Sequence, residues 1–93
     1  MITVENAKKI GITYCADAMG RDFVKKYASN SSTGFSESET DVFCFLGIND
    51  KEEALENQET LVLTSNDDHF PYRASCVVSL DDGTIDEFKY IHP

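Results

Sequence analysis

Positive charge is scarce in this sequence. Eight lysines and arginines stand against 17 aspartates and glutamates, a formal net charge of −9, and the pI is about 4.4. Binding to a nucleic-acid backbone or an anionic membrane surface depends on clustered Lys and Arg, so this balance excludes both as direct partners. Length is limited as well: 93 residues leave no room for a TIM barrel or a doubly wound dinucleotide fold. No apolar run approaches the ~20 residues of a membrane-spanning helix. The opening MITVENAKKI lacks a basic stretch followed by an apolar one of signal length, so a cytoplasmic, reduced protein is expected. Catalytic signatures are missing too. The chain has no GxGxxG, no P-loop, no HExxH and no CxxC pair of the kind zinc sites use.

Histidine is nearly absent, with only His69 and His92. His69 follows Asp67 and Asp68 in NDDHFP. A histidine beside carboxylates can bind metal or act as a base. Neighbours on one turn rarely converge on one ion, however, and a third ligand would have to come from elsewhere. The competing reading is a solvated loop whose aspartates set up the turn. No catalytic residue, metal or cofactor is assigned. The cysteines are Cys15, Cys44 and Cys76, widely spaced and odd in number. They read as buried thiols acting as small hydrophobes, with a disulfide between two of them or a reactive Cys15 as alternatives.

Six phenylalanines and four tyrosines, with several β-branched runs, supply the apolar area for one folded domain over residues 1–93. Residues 3–28 read as a helix. Thr3 can cap it, Glu5 suits its first turn, and Val4, Ala7, Ile10, Tyr14 and Ala18 fall near one stripe, followed by Phe23 and Tyr27. Gly11 and Gly20 each weaken a helix by ~1 kcal/mol against Ala, so a bend or break is expected near one of them. Residues 29–40, SNSSTGFSESET, read as a long polar loop in which Phe35 either pins the loop to the core or anchors a partner.

Four strands are expected after that loop. DVFCFLGI (41–48) is apolar on both faces, with Val42, Cys44, Leu46 and Ile48 on one and Phe43 and Phe45 on the other. TLVLTS (60–65) alternates. YRASCVVSL (72–80) alternates cleanly, with Tyr72, Ala74, Cys76, Val78 and Leu80 on one face. DDG at 81–83 predicts a hairpin turn with φ > 0 at Gly83, and TIDEFKYI (84–91) is the last strand. The expected architecture is α+β: one long N-terminal helix packed on a four-stranded antiparallel meander, a two-layer sandwich.

This order resembles the cystatin-like fold, in which one helix packs across a curled antiparallel sheet. The stretch YRASCVVSLDDGTIDEFKYI also looks like the closing hairpin of small PepSY-type and related bacterial domains of that shape. The QxVxG-type wedge of the cystatin inhibitors is absent, so protease inhibition does not carry over.

One helix cannot cover both faces of such a sheet. Phe43, Phe45, Val62 and Val77, with Phe88 or Tyr90 beside them, are expected on the far side, where an apolar patch marks an interface unless the 29–40 loop folds over it. The carboxylates cluster at 37–41, 50–56, 67–68 and 81–87. They are either solvated loops or a field that steers a basic partner. The expected function is therefore a non-enzymatic acidic binding module, inhibitor- or immunity-like, meeting a protein partner or a second copy of itself through Phe43, Phe45, Val62, Val77, Tyr90, Asp67 and Asp68. The alternative is a small-ligand-binding or enzymatic cystatin-like domain with a pocket between helix and sheet.

Overall fold

A computed structural model describes residues 1–50 and 70–93. Helix α1 spans Val4–Met19 and a short helix α2 spans Arg21–Lys26. A 3-10 turn, Ala28–Asn30, leads into four strands: β1 Ser31–Glu37, β2 Asp41–Ile48, β3 Tyr72–Ser79 and β4 Ile85–Ile91. All neighbours are antiparallel and the sheet order is β1-β2-β3-β4. Helix α1 lies across the two central strands, so the fold is the expected α+β two-layer arrangement.

Local chemistry sets the helix ends. Thr3 Oγ1 accepts a hydrogen bond from the Asn6 amide at 3.1 Å, and Glu5 occupies the first turn. Gly20 ends α1 at φ 103°, a conformation that suits glycine, and its N–H donates to the carbonyls of Ala16 and Asp17. The break expected near Gly11 or Gly20 therefore falls at Gly20.

The buried stripe differs from the expected one. Ala7, Gly11, Cys15 and Met19 are the buried positions of α1, while Tyr14 and Ala18 face solvent. Small residues at 7, 11 and 15 let the helix backbone settle onto the sheet, and Val4 and Ile10 flank the contact. A Cβ at Gly11 would stand 2.8 Å from Cys44 Cβ and 3.1 Å from Val78 Cγ2. Between the layers, this stripe meets Val42, Cys44, Leu46, Ile48, Ala74, Cys76 and Val78, all buried. The cysteines belong to that core and are free thiols.

The polar 29–40 segment is largely strand, not loop. Seven consecutive pairs, Ser31↔Ile48 through Glu37↔Val42, join β1 to β2. Residues Ser31, Thr33 and Phe35 lie on the helix side; Ser32, Gly34 and Ser36 lie on the other. Backbone hydrogen bonds to an apolar neighbour hold this strand despite its polar composition, because an edge strand does not need a hydrophobic face. The turn that follows is organised by Ser38, whose Oγ accepts from the Thr40 and Asp41 amides and donates to Asp41 Oδ1 at 2.9 Å. The strand expected at 60–65, with Val62, lies outside the described residues, as do Asp67, Asp68 and His69.

The DDG turn forms as expected. Gly83 has φ 78° and its N–H donates to Ser79 O at 2.8 Å. Hydrogen bonds from the Thr84 side chain and backbone hold the Asp82 carboxyl below the usual carboxylate range. Strand β4 then contains a bulge. The register runs Val77↔Asp86 but Ser75↔Lys89, and Glu87 adopts φ 51°.

Candidate interaction face

The face of the sheet away from α1 is ordered in three rows. Ser36, Phe43, Val77 and Asp86 form one row across the four strands; Gly34, Phe45, Ser75 and Lys89 form the next; Ser32, Gly47, Arg73 and Ile91 form the third. Aromatic side chains line β2, small residues line β1, and mixed charges line β4. Phe43 is 41% exposed although its strand is central in the sheet. Phe45 is half-buried.

Phe70 partly explains the difference between the two rings. Its ring stands over Gly47, where a Cβ would be 2.7 Å from its Cγ. It meets the edge of Phe45 with centroids 6.2 Å apart and planes at 75°. Arg73 Nη1 donates to Phe70 O at 3.3 Å and secures that backbone. Sequence reasoning did not place Phe70 here. The available signal was Gly47: a glycine inside an otherwise apolar strand marks a close approach.

Phe43, Phe45 and Val77 share the face away from the helix. Tyr90 does not, which corrects its expected position. It pairs with Ala74 on the helix side and packs against the core. Phe88 is on that side as well, edge-on to Tyr14 at 5.0 Å and 78°. Simple alternation from Ile85 puts residues 86, 88 and 90 together on the outer face. The bulge at Glu87 adds one residue to β4, and every side chain beyond it changes face. Val62, Asp67 and Asp68 lie outside the described residues.

A groove adjoins the outer face at Val77 and is rimmed by Glu39, Asp41, Asp81 and Asp86. Its carboxylates extend the negative surface from the β1–β2 turn to the start of β4.

The cysteine cluster is the other chemistry-bearing group. Cys15 Sγ lies 3.9 Å from Cys76 Sγ, and Cys44 faces Cys76 across the β2–β3 ladder. Burial is the main cause of every shift here. It raises the Cys15 thiol, and together with the neighbouring sulfurs it pushes Cys44 up to about 11 and Cys76 up to about 12. These thiols stay protonated near neutral pH and are poor nucleophiles. No group of three His, Cys, Asp or Glu among the described residues is arranged to hold a metal ion. Also among the described residues, no helix is long and apolar enough to cross a membrane. Comparison with protein-family models, with curated proteins and with solved structures returned no match.

Proposed function

We propose that this chain is a non-enzymatic protein-binding module whose partner docks on the outer sheet face. The observation that carries this reading is Phe43: an aromatic ring in a central strand, 41% exposed, with no second layer over it among the described residues. Such rings act as anchors when a partner desolvates them. The adjoining acidic groove supports a basic partner, steered by the net charge of −9. The helix followed by an antiparallel meander supports the resemblance to the cystatin-like fold. The tight interlayer core around Gly11 favours binding on the surface over a ligand pocket between helix and sheet.

The test is site-specific photocrosslinking in cells. A crosslinker at position 43 should capture a basic protein that the same crosslinker at position 14, on the helix side, does not. Phe43→Ser should abolish that complex while changing stability by less than about 1 kcal/mol, since the ring is already partly wet. Added salt should weaken the complex. Equal capture from both positions, or none from position 43, refutes the reading.

A further inference from the structure

The two edges of the sheet are not equivalent. Exposed edge strands offer unpaired N–H and C=O groups, and native proteins guard them with bulges, charges, Lys or Pro. Strand β4 has such guards: a bulge, and Asp86, Glu87 and Lys89. Strand β1 has almost none. Its seven residues, SSTGFSE, run in unbroken register with β2, contain no Pro, Lys or Arg, and are charged only at Glu37. Among the described residues no strand pairs with its other side. A groove also runs along it on the helix side, lined by Lys8, Lys9, Ile12 and Thr13 of α1 with Thr33 and Phe35 of β1. The Phe35 ring is 41% exposed there, beneath the Lys8 ammonium at 5.2 Å.

We propose that β1 is a self-pairing edge, and that two copies of this chain join antiparallel through it to make one continuous eight-stranded sheet. The pairing is centred on Gly34, where it uses all seven residues of each strand. Ser32 then opposes Ser36 of the second copy, and Thr33 opposes its Phe35. The two Phe35 rings are diagonal neighbours on the helix side, within reach of one another, and each fills part of the other copy's groove. Both helices lie on the same face of the joined sheet.

The local charge pattern at the two ends of β1, acting at short range against the mutual repulsion of two chains of −9, favours a second copy over an unrelated strand. The Ser31 end of β1 follows α2 through Tyr27 and the 3-10 turn; α2 carries Asp22 and an Arg21 already paired with Asp17, so Lys25 and Lys26 supply the positive charge at that end. The Glu37 end runs into the turn that carries Glu39 and Asp41. Antiparallel pairing brings the acidic turn of each copy to the basic α2 end of the other, and it does so twice. This is the self-complementary contact of a two-fold dimer. It uses the edge of the sheet and the groove on the helix side and leaves Phe43, Phe45 and Val77 open; Glu39 and Asp41 are the residues it shares with the acidic groove of the outer face.

Sedimentation equilibrium of the whole chain from micromolar to millimolar concentration tests the pairing. A monomer–dimer equilibrium is expected; a monomer throughout overturns the proposal. Gly34→Lys places two ammonium groups side by side at the dyad. The monomer has room for it, since the nearest neighbours of a Cβ there are Phe45 Cβ at 3.9 Å and Cδ1 at 4.0 Å. Dimerisation should weaken ~10-fold or more. Gly34→Glu alone should do the same, and mixing the two variants should restore a heterodimer. A dimer that survives Gly34→Lys, or that disappears only with Phe43→Ser, overturns the assignment. Hydrogen exchange on the unaltered chain gives a readout that does not depend on a variant folding. Protection of the 31–37 amides should rise with protein concentration while that of 85–91 does not. Protection independent of concentration overturns the proposal, because the edge is then covered from within the chain.

Discussion

Replacing Gly11 by Ala sets two effects of opposite sign against each other. In an exposed helix interior the change stabilises by ~1 kcal/mol, because Ala loses less backbone entropy than Gly. Here the added methyl has no room. It would stand 2.8 Å from Cys44 Cβ, closer still to Cys44 Sγ, and 3.1 Å from Val78 Cγ2. Cys44 and Val78 are fully buried on central strands, so neither can swing away into solvent. The helix would have to lift off the sheet, loosening the contacts of Ala7 and Cys15 on either side. Inserting a methyl into a packed core costs ~1–3 kcal/mol. Both overlaps are with fully buried atoms, which puts the packing cost above the propensity gain, and Gly11→Ala should destabilise by up to about 2 kcal/mol net. For a domain of this size each kcal/mol lowers the thermal midpoint by about 4–8 °C. Urea and thermal melts read it directly. The same substitution made in a Cys44→Ala background should cost less, since the nearest atom is gone, and the difference is a coupling between helix and strand. A Gly11→Ala protein that melts higher than the parent would refute the close approach.

Two further outcomes follow from the core and from the bulge. Burial raises Cys44 and Cys76 to about 11 and about 12 from an ordinary thiol value of 9.0, so folding favours their protonated forms. That contribution is complete below pH ~9 and is lost as the pH climbs through the folded-state values, so urea midpoints should fall progressively from pH 9 upward. Substituting all three cysteines by alanine should flatten that alkaline slope; an unchanged slope would assign it to other groups. Glu87 holds φ 51°, a conformation that costs a non-glycine residue roughly 1 kcal/mol, so Glu87→Gly should leave stability unchanged or raise it slightly, whereas Glu87→Val should lower the melting midpoint. Equal midpoints for Gly and Val would mean that the bulge is not there.

The parts of the fold legible in the sequence are those in which hydrophobic pattern and backbone geometry agree. Val42 to Ile48 and Tyr72 to Leu80 alternate against a single helix layer, and their inward residues are the core. Gly83 and Gly20 stand where the chain needs a positive φ. Strand β1 was hidden because its stability comes from backbone pairing to β2, and SSTGFSE has the composition of a loop. Counting apolar spacing misplaced the inner stripe of α1, because the decisive residues are the small ones: Gly11 and Cys15 are buried by their size. Tyr90 was assigned to the wrong face by one uncounted residue at Glu87, since period-two reading has no means of seeing a bulge. Phe43, Phe45 and Val77 lie on two strands whose mutual register is unbroken, so the outer face is legible in its centre and misread at its β4 edge.

The bulged, charged β4 has a consequence for the size of any assembly. A sheet with two open edges can add copies at both ends without limit, which is the geometry of a fibre. Here Glu87 interrupts the ladder and Asp86 and Lys89 flank the interruption, so among the described strands β1 is the edge left open to sheet extension. Pairing through β1 consumes that edge in both copies at once, and growth stops at two. Removing the bulge would reopen the other end, turning a chain whose association is self-limiting into one able to polymerise.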